Sequence, residues 1–371
     1  MKPFRVAIVG TGGIAANHIK ALRREEARVE VVAAVDVAPE NLNRFCQEYD
    51  IAHRYADMQT RLDEQHPNLV HICTPPGTHF DLCVQALRAG AHVFCEKPLV
   101  ASLDEVDRLQ AVEREVGRTC STVFQWRFGA GSQHFKRLID SRELGRPLVG
   151  ICHTTWYRDH AYYAVPWRGK WDTELGGVSM GHGIHAMDMF LWLLGDWVEV
   201  NAIIGTLDRN IEVEDVSMAH VRFASGALGS IVNSVLSPRQ VSYMRIDFQR
   251  ATVELEHLYS HTNEHWRFSI PEGADYQADL ARWRAIDGDQ PASHATQVTH
   301  LLDALERGDP PLTSGPQARN IVEFLTALYK SALTRQPVRR GSIGRDDPYY
   351  YHVYGAAKPA RDLRLTAPDV P

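Results

Sequence analysis

The sequence lacks a long apolar run and an excess of positive charge. No stretch approaches the roughly 18 apolar residues that a membrane-spanning helix requires, so we expect no membrane partner. The 40 lysine and arginine residues are outnumbered by 46 aspartate and glutamate residues, which gives a formal net charge of −6. Because both signs are interspersed along the chain, the pattern argues against the basic surface that nucleic-acid-binding proteins carry.

Cysteine is also scarce and is not arranged in pairs. The chain has six cysteines, none of them in a C-x-x-C motif, at Cys46, Cys73, Cys83, Cys95, Cys120 and Cys152. Several lie in apolar segments, a pattern typical of small buried residues in a reducing compartment. The apolar residues that follow Lys2 and Arg5 are too few for a secretory signal. We therefore expect a cytoplasmic protein.

The chain does contain, at its start, a strand, a glycine-rich turn and a helix-compatible segment. The apolar strand 5–9 runs into Gly10, Gly12 and Ala15 in a G-x-G-x-x-A pattern, and the helical segment 16–24 follows. Gly10 permits a tight turn, Gly12 lets the backbone approach a pyrophosphate, and Ala15 allows helix and strand to pack closely. The pattern predicts a dinucleotide site at the helix N-terminus, formed by Gly10, Thr11, Gly12, Gly13 and Ile14.

A second strand, 29–35, ends at Asp36. A carboxylate there accepts hydrogen bonds from the adenosine ribose hydroxyls and repels a 2′-phosphate, so NAD is favoured over NADP. Asp36 lies 26 positions after Gly10 (36 − 10), and the usual spacing is about 20. An exposed loop between helix and strand would absorb the difference.

Strand-like and helix-like segments then alternate, as a parallel sheet requires. Strands are predicted at 68–74, 91–95 and 120–124, and helices at 81–88 and 102–116, the last capped by Ser102 with Glu105 three residues later. Ligands bind beyond the carboxyl ends of such strands. We therefore expect further cofactor contacts from Thr74, Pro75, His79, Glu96 and Lys97.

Several segments together resemble one protein family. They are GTGGIA from Gly10, ICTPPGTHFD from Ile72, GAHVFCEKPLV from Gly90, GGVSMGHGIHAMDMFLWLLGD from Gly176 and YKSALTRQPV from Tyr329. In this order they are similar to the Gfo/Idh/MocA family, named for glucose–fructose oxidoreductase, inositol dehydrogenase and a rhizopine-catabolism oxidoreductase. The Glu-Lys-Pro element at 96–98 is the most discriminating of these features.

The resemblance implies an α/β protein with an N-terminal Rossmann domain and a C-terminal α/β domain that has a large, mostly antiparallel open sheet. Two domains are also expected because 371 residues exceed the roughly 250 to 300 that one core organises. We place the NAD-binding domain at 1–125, the substrate-binding and oligomerisation domain at 126–345 and a tail at 346–371. In the family the open sheet face commonly serves for subunit association, so a homodimer or homotetramer is expected by analogy.

The composition of the second half is compatible with such a sheet. Strand-like segments rich in β-branched and aromatic residues lie at 148–156, 199–204, 216–223, 228–235 and 244–248. Residues 224–226 supply a turn between the third and fourth of these, which predicts a hairpin. An amphipathic helix is predicted at 317–335.

Lys97 is the first predicted catalytic residue. It follows a strand and precedes Pro98, which biases it towards an extended backbone. A partly desolvated lysine there can donate a hydrogen bond to a substrate hydroxyl, or exchange a proton with it, as hydride leaves the carbon. Without the resemblance, a solvated lysine paired with Glu96 would be the simpler interpretation; the resemblance favours catalysis.

The segment 181–185 (GHGIH) is the second predicted catalytic element. The resemblance implies Asp-x-Gly-Val/Ile-His here, so His185 matches the family histidine, whereas Gly181 replaces the family aspartate. His182 is the nearest candidate to replace that carboxylate. On a helix, Asp188 would lie beside His185 and could fix its tautomer; packing beneath the pocket is the alternative role for Asp188 and His182. The H-x-x-H-x-x-D spacing lacks the i, i+4 histidine pair of a metal site, so we expect no metal.

Aromatic residues with hydrogen-bonding tips are dense between 156 and 171. Their rings stack on the C–H faces of polyhydroxylated molecules, whose hydroxyls meet Arg, Tyr and His. We expect a small polyhydroxylated substrate to contact Lys97, Trp156, Arg158, Tyr163, Arg168, His182 and His185; core packing is the alternative for any one aromatic. Arg168 would also suit a carboxylate or phosphate, which leaves sugar acids and nucleotide sugars open.

The sequence and the resemblance together predict an NAD-dependent dehydrogenase. It would oxidise a secondary hydroxyl of a sugar, cyclitol or sugar derivative to a ketone, with Lys97 and His185 assisting proton transfer. Because Gly181 departs from the family pattern, two alternatives stay open: an NAD-using glycoside-cleaving enzyme and a non-catalytic regulator that binds NAD and a sugar.

Overall fold

The computed structural model describes residues 2–359 and Leu363, which form two compact units. The first unit contains the chain as far as Val123 together with His294–Val322; the second contains Phe124–Ser293 and resumes at Glu323. The sequence analysis did not anticipate that 294–322 would belong with the first unit. Residues 360–362 and 364–371 of the predicted tail lie outside the described residues.

Regular elements account for much of both units. The described strands are β1 (Phe4–Val9), β2 (Val29–Val35), β3 (Arg54–Tyr55), β4 (Leu69–Ile72), β5 (His92–Cys95), β6 (Cys120–Thr122), β7 (Pro147–Tyr157), β8 (Trp197–Gly205), β9 (Val216–Phe223), β10 (Leu228–Ser234), β11 (Leu236–Phe248), β12 (Thr252–His257), β13 (Trp266–Ser269) and β14 (Val338–Arg339). The described helices are α1 (Ala15–Arg23), α2 (Pro39–Glu48), α3 (Met58–Gln65), α4 (His79–Arg88), α5 (Leu103–Val116), α6 (Ala130–Asp140), α7 (Ile184–Leu194), α8 (Gln277–Arg284), α9 (His294–Arg307) and α10 (Gly315–Thr334).

Within the described residues, the first unit is built on a parallel sheet in the order β3-β2-β1-β4-β5-β6. Val6–Val9 and Leu69–Ile72 are buried throughout, as expected for strands that are covered on both faces. The strand order reverses between β1 and β4, which is the point where such sheets bind ligands. The predicted cap of α5 is confirmed, because Ser102 Oγ accepts a hydrogen bond from the Glu105 N–H at 3.2 Å.

In the part of the chain that the structure describes, the second unit holds a larger sheet in the order β13-β12-β11-β7-β10-β9-β8-β14. The β7–β10 pair is parallel and the other described pairs are antiparallel. The predicted hairpin is formed by β9 and β10. The predicted fold class, a Rossmann domain followed by a mostly antiparallel α/β domain, is confirmed.

The two faces of this second sheet differ. One face is covered by α7, whose Phe190 ring lies so close to β7 and β10 that a Cβ on Gly150 or Gly229 would meet it at 2.6 or 3.1 Å. The opposite face carries apolar side chains that are more than half exposed, among them Ile203, Met218 and Leu228.

The six cysteines are buried and none forms a disulfide. Among the described residues, no helix has both the length and the apolar character needed to cross a membrane.

Candidate active site

The glycine-rich turn of the first unit connects β1 to α1. Gly10 has φ +87°, and a Cβ at this position would lie 2.8 Å from the backbone of Cys73 and Thr74, so a side chain is excluded by both strain and space. A Cβ on Gly12 or Gly13 would meet no heavy atom within 4 Å. No side chain caps α1, and its first turn contains no acidic residue. An open turn at an uncapped helix N-terminus fits the pyrophosphate of a dinucleotide.

Asp36 lies directly beside this turn. Its Oδ2 accepts hydrogen bonds from the N–H and the hydroxyl of Thr11, both at 2.7 Å, and its Oδ1 accepts one from the N–H of Ala38 at 2.8 Å. The carboxylate is only partly buried. Its position and negative charge fit ribose hydroxyls and disfavour a 2′-phosphate.

His79 joins the loops that follow β4 and β5. Its Nδ1 lies 2.7 Å from the carbonyl oxygen of Pro98, and its Nε2 lies 2.9 Å from that of Thr74. Burial lowers the pKa of His79, although both carbonyls favour its protonated form. In the first unit His79 thus links the carbonyl groups of Thr74 and Pro98.

Glu96 lies at the centre of a buried histidine cluster that the sequence analysis missed. Its Oε1 is 3.0 Å from His18 Nε2 and 3.3 Å from His294 Nε2, and His18 Nδ1 is 3.0 Å from His71 Nδ1. Burial opposes the ionisation of Glu96, but hydrogen bonds from His18 and His294 outweigh it and hold the pKa of Glu96 well below its usual range. These contacts join α1, β4 and α9 to the carboxyl end of β5.

Three members of the cluster also have the chemistry of metal ligands. Within the described residues, His18, Glu96 and His294 form a group whose ligand atoms lie within 4.8 Å of one another. Their separations of 3.0 and 3.3 Å are ordinary hydrogen-bond distances. Hydrogen bonding therefore accounts for the arrangement without an ion.

Lys97 follows this anchored glutamate. Val93–Glu96 and Pro98–Val100 are buried, whereas Lys97 is only partly buried. The backbone N–H of Lys97 donates a hydrogen bond to Glu96 Oε2 at 3.3 Å. The lysine side chain therefore emerges from a closely packed strand end.

In the second unit, His182 and His185 lie on different local structures. His182 belongs to a π-helical turn, Ser179–Gly183, and His185 to the first turn of α7. Arg158 Nε donates to His182 Nε2 at 3.2 Å, and the Tyr162 hydroxyl lies 3.3 Å from the same nitrogen. Since an arginine only donates, this His182 nitrogen carries a lone pair.

His185 contacts aromatic rings. It stacks on Trp126 with 5.7 Å between ring centroids and meets Tyr259 edge to face at 6.2 Å. The Trp156 ring packs against those of Tyr259 and His182, with 5.9 and 5.4 Å between ring centroids. The two predicted histidines are thus linked through Trp156 and Tyr259.

We expected Asp188 to lie beside His185, and the structure pairs its carboxylate with Arg127. Both carboxylate oxygens of Asp188 accept hydrogen bonds from Arg127, from Nε at 2.6 Å and from Nη2 at 2.5 Å, and both residues are buried. Burial raises the pKa of Asp188, and Arg127 opposes that rise. A buried guanidinium requires such a partner, which explains the pairing.

The other predicted substrate residues surround His182. The Arg158 guanidinium lies over Trp156 at 5.1 Å and over Tyr162 at 5.3 Å, and that of Arg168 lies 3.5 Å from the Tyr162 ring centroid. Tyr163 packs on Tyr162 at 5.0 Å. The structure therefore brings together Trp156, Arg158, Tyr163, Arg168 and His182, and adds Tyr162, Tyr259 and the Gln125 amide that donates to Tyr259. Tyr162 has the same residue type as its neighbour Tyr163, so spacing alone could not select between them.

Comparisons with known proteins agree with both units. The profile described as an oxidoreductase family with an NAD-binding Rossmann fold matches residues 4–124, and that of the Gfo/Idh/MocA C-terminal domain matches residues 132–254. This chain belongs to the Gfo/Idh/MocA family. It is an NAD-binding oxidoreductase, as predicted.

Relatives of this Gfo/Idh/MocA protein include named dehydrogenases. The myo-inositol 2-dehydrogenase of Thermotoga maritima is 26% identical over 62% of this chain and 68% of its own length. The D-glucoside 3-dehydrogenase of Escherichia coli is 26% identical over 90% of this chain and 96% of its own. The WlbA dehydrogenase of Bordetella pertussis, solved with NADH and UDP-GlcNAcA, is 27% identical with a TM-score of 0.81, covering 91% of this chain and 99% of its own.

Proposed function

We propose that this Gfo/Idh/MocA protein is an NAD-dependent dehydrogenase that oxidises a secondary hydroxyl of a sugar, cyclitol or sugar derivative to a ketone. The observation that carries the proposal is the setting of Lys97. Lys97 is a partly buried residue in an otherwise buried stretch, in the same unit as the glycine turn, and Glu96 beside it is anchored by two histidines. The names of the inositol and glucoside dehydrogenases support the substrate class.

The proposed task of each residue follows from its chemistry. Bound NAD accepts the hydride that leaves the hydroxyl-bearing carbon. Lys97 hydrogen-bonds the reacting hydroxyl and receives or relays its proton, and His185, held between aromatic rings, assists that transfer. Arg158, Tyr163 and Arg168 bind other hydroxyls or an acidic group, and Trp156 offers a ring face to C–H groups.

A substrate panel tests the proposal directly. The purified protein is incubated with NAD and with myo-inositol, D-glucosides, D-apiose or UDP-GlcNAcA, and formation of NADH is followed by absorbance. We expect NADH with at least one of these compounds. Release of an aglycone from a glycoside without net NADH would replace the proposal with the glycoside-cleaving alternative. Binding of NAD without turnover of any compound would favour a regulator.

We also propose that a second copy of the chain covers the exposed sheet face, giving a homodimer or homotetramer. Ile203 and Met218 are 67% and 51% exposed and lie opposite each other on β8 and β9. Leu228 and Val149 are likewise paired on β10 and β7, at 56% and 43% exposure. Exposed apolar side chains on four neighbouring strands are typical of an interface.

Light scattering of Met218→Lys tests this assembly. We expect the wild type to be oligomeric and the variant to have a lower mass, whereas Val37→Glu, at a residue 89% exposed in the first unit, should leave the mass unchanged. A monomeric wild type would overturn the proposal.

The six buried free cysteines support a reducing, cytoplasmic location.

A further inference from the structure

Gly181 leaves space beside His182 in the second unit. It is the only residue between Glu174 and Leu191 that is not buried. Its φ lies outside the positive region, so its backbone would accept other residues. Apart from its chain neighbours and the backbone of its own helix, a Cβ built on Gly181 meets a single heavy atom within 4 Å, and that atom is Glu174 Oε1 at 3.4 Å. The space at this position is therefore bordered by a carboxylate that another segment supplies.

One carboxylate oxygen of Glu174 accepts a hydrogen bond from the backbone. The residue is 6% exposed, and its Oε2 accepts a hydrogen bond from the N–H of Gly169 at 2.6 Å. That bond helps to orient the carboxylate, whose Oε1 faces Gly181.

The surroundings of Glu174 are those of the predicted substrate residues. Burial raises the pKa of Tyr163, and the negative charge of Glu174 raises it further. Burial lowers the pKa of Arg168, an effect that the same charge opposes. The carboxylate thus lies within electrostatic reach of both residues, which sequence analysis had assigned to the substrate.

We infer that Glu174 is a substrate-contacting carboxylate of this unit: its Oε1 accepts a hydrogen bond from a hydroxyl of the polyhydroxylated substrate, in the space beside Gly181. The inference rests on the proposed dehydrogenase function. A carboxylate only accepts hydrogen bonds, so it selects for donors, and a sugar or cyclitol hydroxyl is such a donor. Residue 181 therefore needs no acidic side chain of its own.

Glu174→Gln tests the inference with little change in shape. The glutamine oxygen can still accept from Gly169, whereas the charge is lost. For the compound of the panel above that wild type oxidises best, we expect kcat/KM to fall by about 10- to 100-fold, mainly through KM, with NAD affinity unchanged. Glu212→Gln is the matched control, because Glu212 is exposed and its backbone N–H bonds the carbonyl of the same Gly169. The control should keep wild-type kinetics.

A second substitution provides rescue. Adding Gly181→Asp to Glu174→Gln returns a carboxylate to the same space. We expect kcat/KM of the double variant to be at least about tenfold higher than that of Glu174→Gln. Gly181→Asp alone places two carboxylates side by side, which raises the pKa of one of them and shifts the acid limb of the kcat/KM profile to higher pH.

The outcomes separate this inference from the function on which it rests. If wild type oxidises a polyol while Glu174→Gln stays within about twofold of it, the inference fails and the dehydrogenase proposal stands. If Glu174→Gln does not fold, an unshifted pH profile of Gly181→Asp overturns the inference. If wild type forms no NADH with any compound of the panel, both proposals fall.

Discussion

His18 Nε2 lies 3.0 Å from Glu96 Oε1. His18 is on α1, the helix that follows the glycine turn, and Glu96 immediately precedes Lys97. One buried hydrogen bond therefore connects the helix expected to bind pyrophosphate with the strand end that carries the proposed catalytic lysine. His294 on α9 extends the same connection.

Removal of His18 should cost stability. His18→Ala deprives the buried Glu96 carboxylate of a donor, so we expect the free energy of unfolding to fall by about 2 to 3 kcal/mol. Urea denaturation at neutral pH measures it. His53→Ala, at an exposed histidine of the same unit, should change stability by less than about 0.5 kcal/mol. Equal effects of the two substitutions would contradict a supporting role for His18.

Lys97→Met should separate catalysis from cofactor binding. Methionine keeps much of the side-chain volume but cannot exchange a proton, so we expect turnover to fall by at least ~10² while NAD affinity is kept. Steady-state kinetics and a fluorescence titration with NADH give the two quantities. Unchanged turnover would remove Lys97 from its proposed role.

Asp36→Ser should alter the choice of cofactor. The substitution removes the charge that repels a 2′-phosphate and an acceptor for ribose hydroxyls, so we expect NADH to bind about tenfold more weakly and NADPH more tightly. Dissociation constants for both cofactors are compared with those of Glu40→Gln, an exposed residue in the first turn of α2. A wild type that prefers NADPH would show that Asp36 does not select the cofactor.

Acid should destabilise the protein partly through His257. Burial lowers the pKa of His257 to about 3, with a smaller contribution from His265, against 6.5 for an ordinary histidine. As pH falls, the unfolded chain therefore binds this proton first. The stability contribution is complete above pH 6.5 and is lost towards pH 3.

His257→Phe removes this titration and keeps a ring against Trp126, which His257 contacts at 4.5 Å between centroids. We expect its free energy of unfolding to depend less on pH in that window, by about 1 kcal/mol per pH unit. Urea denaturation of both proteins at several pH values measures the slopes. Parallel slopes would show that His257 does not titrate as proposed.

Much of the first unit could be predicted because its signals are local. The strand 29–35 and the Ser102 cap depend on residues close together in sequence, and both are observed. The second unit was harder. The sequence indicated a strand only at 244–248, whereas β11 begins at Leu236. Residues 236–243 are mostly polar and include Pro238, so their own pattern does not predict a strand; Leu236 and residues 241–243 pair with β7.

Local sequence was enough to predict the NAD-binding turn, the alternation that builds a parallel sheet and the position of Lys97 at a strand end. These depend on short-range sterics and on periodic burial. The packed chain was needed to show that His294 reaches Glu96, that Asp188 pairs with Arg127 and that Glu174 lies beside Gly181. Such partners lie 198 and 61 residues apart in the first two cases, and the need to satisfy buried polar groups selects them only once the chain is packed.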